Sequence, residues 1–146
     1  MNAFAHESLD VYQAAVEFAM LMERVVKLVA PSQQYLAERA NQEALSLVLH
    51  VAQAASVTAP SERGELLHNA EHVAARCAAL LDILYRVRVA AESEAQGGRT
   101  LLLKIVDLLA KARPRTDKPR PAPPPATPAA PAPAPQAATD PEPEED

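Results

Sequence analysis

Residues 66–91 read LLHNAEHVAARCAALLDILYRVRVAA, and an apolar residue recurs there at alternating steps of four and three: Leu66, Ala70, Val73, Cys77, Leu80, Leu84, Val87 and Ala91. A period of about 3.5 residues held over this length is the seam of a helix packed against other helices. The spacing predicts an all-α protein with little room for an enzyme pocket. Ser61, after the turn Thr58-Ala59-Pro60, is placed to cap this third helix. Gln96-Gly97-Gly98 is placed to end it, because glycine tolerates left-handed C-cap geometry.

The neighbouring segments repeat the pattern. A first helix is expected from Ser8 as N-cap to about Val29, with Val11, Ala15, Phe18, Met22, Val25 and Val29 as its seam. Its polar residues occupy an arc of about 140°, which leaves an apolar arc of about 220°. That is wider than one side of a monomeric bundle needs, so a second buried face is expected, with Val16, Met20, Leu21 and Leu28 as candidate oligomer contacts. Pro31-Ser32 interrupts the chain, and a second helix is expected over about Gln33 to Val57 with Ser32 as cap. Leu36, Ala40, Ala44, Leu47, Val51 and Ala54 face its core, and Leu45, Val48 and Ala52 widen the stripe. A fourth helix opening at Arg99 or Thr100 carries Leu101, Leu102, Ile105, Leu108, Leu109 and Ala112, and Pro114 stops it. Short turns between long helices favour antiparallel neighbours, so the expected architecture is an up-down-up-down four-helix bundle over residues 1–113.

Residues 114–146 are of another kind. They hold twelve of the fourteen prolines and no Leu, Ile, Val or Phe. Such a segment buries too little apolar surface to offset the entropy of ordering, so a disordered Pro/Ala-rich tail with an acidic end is expected. Met1 to His6 lacks the basic start and apolar run of a signal peptide, and no run approaches the ~20 apolar residues that span a bilayer. Cys77 is the single cysteine. It excludes an internal disulfide, suits a reducing compartment, and reads as a small buried hydrophobe. A soluble, cytoplasmic protein with no cofactor and no small-molecule substrate is expected.

With the helices placed, Leu9-Asp10-Val11-Tyr12-Gln13-Ala14-Ala15 resembles the opening of the four-helix-bundle proteins encoded in intervening sequences of bacterial 23S ribosomal RNA genes. The same fold serves the accessory variability protein of diversity-generating retroelements. The resemblance continues at Arg39-Ala40 and at Ser46-Leu47-Val48-Leu49-His50-Val51-Ala52-Gln53, and through Ala70 and Ala74 to Asp82. It covers about residues 4–112. The chain departs from the family pattern at His50 and Ala52-Gln53-Ala54, and again at His72-Val73 and Arg76, so it resembles a diverged member. The resemblance implies a ring-like homo-oligomer, typically a pentamer, and for the retroelement relative a basic surface that binds nucleic acid.

His68-Asn69-Ala70-Glu71-His72 spells the His-x-x-Glu-His pattern of inverted zinc metallopeptidases. Two histidines four residues apart on a helix can reach one metal, and a glutamate between them can act as general base. A catalytic zinc also needs a third protein ligand, and the folded part offers no convincing one. The histidines lie away from the apolar seam with Glu65 and Arg76, so a solvated helix face is expected, with an adventitious surface metal site and a metal-dependent hydrolase as the alternatives. His50 lies at the core edge of the second helix as a hydrogen-bonded rather than catalytic histidine. Ser46 lacks the strand-turn-helix setting of a nucleophile. No glycine-rich phosphate loop is present.

Residues 1–113 carry 11 Lys+Arg against 13 Asp+Glu, a net charge of −2. That is a poor footprint for strong non-specific nucleic-acid binding. The distribution is uneven, however. Arg99, Lys104, Lys111, Arg113, Arg115, Lys118 and Arg120 make seven bases against two acids, whereas Asp140 to Asp146 holds five acids and no base. The Pro/Ala segment between them is stiff and extended at about 3.1 Å per residue where it is polyproline-like. A basic RNA or DNA contact shielded by its own acidic end is therefore a candidate, beside a solubilising tail. The expected function is a non-enzymatic, self-associating bundle with a nucleic-acid or protein partner.

Overall fold

The computed structural model describes residues 4–113. The chain forms α1 (Asp10–Val26), a 3-10 turn (Pro31–Gln33), α2 (Gln34–Ser56), α3 (Pro60–Arg86) and α4 (Glu92–Ala112), with no strand among the described residues. Each helix packs on its neighbours in the chain and α4 packs on α1, which closes a ring of four around one core. Glu43 and Val57 of the α2 segment meet Arg76 and Arg63 of α3, and Leu81 and Glu71 of α3 meet Gly98 and Arg113 of the α4 segment. In both pairs the contacts follow opposite order along the two helices.

The seams account for most of the core. Val11, Ala15, Phe18, Met22 and Val25 of α1 are buried, as are Ala40, Ala44, Leu47, Val51 and Ala54 of α2. Ala70, Val73, Cys77 and Leu84 are buried on α3, and Leu102, Ile105 and Leu109 on α4. The α3 seam runs differently at its ends: Leu67 and Leu81 are buried in place of Leu66 and Leu80, and Val87 and Ala91 are exposed beyond the helix.

The helix starts differ from the expected caps. Leu9, Gln33 and Ala59 occupy the N-cap positions of α1, α2 and α3, and none makes a side-chain cap hydrogen bond. Ser8 therefore precedes the cap, Ser32 lies inside the 3-10 turn, and Ser61 lies inside α3. Pro60 takes the first position of α3, where its missing N–H is no loss. Asp10 and Glu62 place negative charge in the first turns of their helices, the favourable sign at a helix N-terminus.

The largest difference is the boundary between the third and fourth helices. Helix α3 ends at Arg86, and Gly97-Gly98 lies within α4. Arg88 adopts φ 64°, the left-handed conformation usually left to glycine. The Val89 N–H donates to Leu84 O at 2.8 Å, and the Arg88 N–H donates to Tyr85 O at 3.0 Å. Together these bonds make the paired closure of a Schellman motif. At the start of α4 the Ala91 N–H donates to Glu94 Oε1 at 2.9 Å, the half of a capping box that an alanine N-cap allows.

The glycines serve close packing instead. A Cβ at Gly98 would lie 2.6 Å from Leu81 Cδ2 and 3.4 Å from Leu21 Cδ2, whereas one at Gly97 would lie 3.7 Å from Leu21 Cδ1. The Pro114 stop and the 114–146 tail lie outside the described residues. Opposite signs are expected for two alanine substitutions, read by chemical denaturation. Gly97→Ala gains helix propensity in ordinary van der Waals space and stabilises by up to about 1 kcal/mol. Gly98→Ala drives a methyl into buried Leu81, and the overpacking cost of about 1–3 kcal/mol leaves the protein less stable than wild type. A stabilising Gly98→Ala would show that α4 does not need this close approach.

Candidate functional site

Apolar residues are left at the surface on every helix, with Ile83 and Tyr85 on α3 and Leu103 and Val106 on α4, but those on α1 and α2 border a groove. Met20 is 54% exposed, Leu45 58% and Leu49 66%. Leu45 and Leu49 are one turn apart on α2, so they share a face. Between the two helices runs an open groove of about 380 Å³ lined by Val16, Ala19, Met20, Glu23, Asn41, Ala44, Leu45 and Val48. Small residues, Ala19 and Ala44, alternate here with the projecting Met20 and Leu45. The groove therefore carries both knobs and holes of the kind that interlock between helices.

The four candidate oligomer residues do not share one surface. Val16 and Met20 line this groove. Leu21 points its methyl groups at Gly97 and Gly98, within the α1–α4 contact. Leu28 lies past the end of α1, is 88% exposed, and borders a separate hollow with Tyr85, Arg86 and Arg88.

The basic candidates are likewise divided. Lys111 Nζ pairs with Asp107 Oδ2 at 2.8 Å, one turn away on α4. Arg113 Nη2 lies 2.9 and 3.0 Å from the two carboxylate oxygens of Glu71 on α3. Arg99 lines a hollow of about 210 Å³ between α3 and α4, with Asp82, Tyr85 and Gln96. Lys104 is exposed and makes no ion pair among the described residues. Arg115, Lys118 and Arg120 lie outside the described residues.

On α3, His68 and His72 are exposed with their Nε2 atoms 3.0 Å apart. Glu71 turns toward Arg113, and its Oε2 is 3.9 Å from His68 Nδ1. Among the described residues no three His, Cys, Asp or Glu side chains converge on a common point. His50 is half-buried, with Nδ1 2.7 Å from Ser46 O. A carbonyl only accepts, so Nδ1 carries the proton and donates to it. The ring is thus tied to its own helix, and the Ser46 hydroxyl lies 3.2 Å from the same nitrogen.

One polar site was not singled out from the sequence. Glu43, only 7% exposed, lies on the buried stripe of α2 and receives Arg76 Nε from α3 at 2.9 Å and Arg39 Nη2 at 3.1 Å. An acid three residues after Ala40 and four before Leu47 interrupts the apolar seam, and that interruption was the available signal. Cys77 lies beside this carboxylate with no exposed surface. Burial, reinforced by the negative charge of Glu43, pushes its thiol from the ordinary 9.0 up to about 12. The group is a neutral hydrophobe at physiological pH rather than a nucleophile.

Compared with known proteins, the chain matches no family model and no curated protein. Among the described residues no helix is long and apolar enough to cross a membrane.

The raised thiol pKa carries a pH dependence. The unfolded thiol ionises above its ordinary 9.0 while the folded one holds its proton to about 12, so stability is full below 9 and falls as pH rises through that window. Between those limits, denaturation midpoints of wild type are expected to fall faster than those of Cys77→Ala, by up to about 1.4 kcal/mol per pH unit. Parallel pH profiles would show that Cys77 ionises freely in the fold.

Proposed function

We propose that this protein is a non-enzymatic, self-associating four-helix module that acts as a binding or scaffolding unit, with copies meeting through the α1/α2 face. The observation that carries this reading is the joint exposure of Met20, Leu45 and Leu49 beside an apolar groove floored by alanines. A face that holds both ridge and groove can meet a second copy, either symmetrically in a two-fold contact or with the ridge of one copy in the groove of the next in a ring. The wide apolar arc of α1 supports the same reading from the sequence. The resemblance to the 23S rRNA intervening-sequence proteins would make the assembly a ring, with five subunits as the family's usual number. A single buried free thiol fits a reducing, cytoplasmic setting.

Nucleic acid is the second partner class that the resemblance suggests. Within the described part of the basic stretch, Lys111 and Arg113 already face Asp107 and Glu71, so the apolar face is the better-supported contact.

Light scattering and sedimentation of the full chain test the proposal. A species larger than the 15.6 kDa monomer is expected at micromolar concentration. Met20→Glu with Leu45→Glu should return it to monomer while helicity by circular dichroism stays unchanged. Each side chain is already about half buried, so covering the rest contributes about 1 kcal/mol, and the double substitution should weaken association at least tenfold. A wild-type monomer at that concentration overturns self-association. Salt-sensitive RNA binding by such a monomer would favour the nucleic-acid reading.

A further inference from the structure

The His-x-x-Glu-His segment offers a different chemistry from the peptidase its spelling suggests. His68 and His72 lie one turn apart on α3, and their Nε2 atoms face each other at 3.0 Å with the rings 79° apart. Two ligand nitrogens about 2.0–2.1 Å from one metal ion stand about 2.9 Å apart at right angles and about 3.4 Å apart in a tetrahedron. The observed spacing suits the right-angle pair, which belongs to square-planar or tetragonal ions such as Cu²⁺ and Ni²⁺. Without metal, the same approach is an N–H···N hydrogen bond between the rings. Metal binding requires the donor ring to carry its proton on Nδ1 instead and both rings to turn their Nε2 lone pairs toward a shared point.

Glu71 makes the pair more than two surface histidines. Its Oε2 lies 3.9 Å from Nδ1 of His68, the nitrogen opposite the facing Nε2. At that distance the carboxylate makes no direct hydrogen bond to His68, but its negative charge stands on the Nδ1 side of the ring, the side from which carboxylates support metal-bound histidines. Glu71 is held in turn by Arg113 at the end of α4, with its side chain only 19% exposed. Its carboxylate is thereby kept from serving as the free general base of a peptidase.

We propose that His68 and His72 form a chelating site for a divalent late transition metal, Cu²⁺ foremost, with Glu71 as a positioning residue and water in the remaining coordination positions. Cu²⁺ leads because nitrogen sites bind it more tightly than Ni²⁺ or Zn²⁺. The site is open on its solvent side and does not depend on the self-association proposed above.

Titration of the full chain with CuSO₄ near neutral pH, followed by visible absorption and electron paramagnetic resonance, tests it. One Cu²⁺ per chain is expected, with hyperfine structure from two imidazole nitrogens, and Ni²⁺ and Zn²⁺ should bind more weakly. His68→Gln and His72→Gln should each weaken binding at least tenfold, since the chelate is lost, and the double variant should weaken it further, since no imidazole remains at the site. Glu71→Gln should weaken it several-fold with the two-nitrogen spectrum retained. His6→Gln and His50→Gln should leave it unchanged. Because His68 and His72 are exposed, their variants are expected to keep wild-type circular dichroism. Wild-type affinity in the His68→Gln/His72→Gln double variant, or loss of the signal in His6→Gln, would overturn the site.

Discussion

Helix α4 approaches its neighbours so closely at Gly98 that a single added methyl group would stand 2.6 Å from Leu81 Cδ2. Much of the bundle's arrangement depends on that approach. It sets Gly97-Gly98 against Leu21 of α1 and Leu81 of α3, so the chain has to turn before the glycines rather than at them. The turn falls at Val87 to Ala91, where Arg88 accepts a left-handed backbone and Leu84 O receives the N–H groups of Val89 and Ala90. From there α4 runs along α3 until Arg113 reaches Glu71. Small residues elsewhere in the core, among them Ala15, Ala40, Ala44 and Ala70, are buried where the other helices pack.

Charge reinforces this packing where apolar contact alone would tolerate sliding. Glu43 is buried with Arg76 across the α2–α3 contact, and Glu71 takes Arg113 across the α3–α4 contact. Removing one member of such a pair leaves a charge short of its partner in a partly dry setting, so these bridges define relative helix position more than they add stability. The Arg76 side chain is half exposed, which lets its aliphatic stem cover the core while its head group reaches the carboxylate. Cys77, packed beside them, is a hydrophobic filler.

Two surface features lie on different helices. The α1/α2 side leaves Met20, Leu45 and Leu49 uncovered, and the α3 side presents His68 and His72. The two features ask for different partners, an apolar face and a metal ion, and neither requires a deep cavity. The proposed binding or scaffolding role rests on these outer faces rather than on the core.

Periodicity made the helices and most of the core legible, because burial of an amphipathic stripe is a local property of spacing. Val11, Ala15, Phe18, Met22 and Val25 follow from it, and so does Cys77 as a buried residue. The apolar width of α1 likewise announced a surplus of surface, and Val16 and Met20 do line the exposed groove. The sequence could not decide between the two uses of Gly97-Gly98, since glycine serves a left-handed turn and a close helix approach equally well. Only the position of Leu81 and Leu21 selects the second. Nor could it show that Leu21 turns toward α4, or that Arg113 and Arg76 have carboxylate partners 42 and 33 residues away. Those pairings depend on how far one helix slides along another, a register that packing between helices sets and no single segment contains.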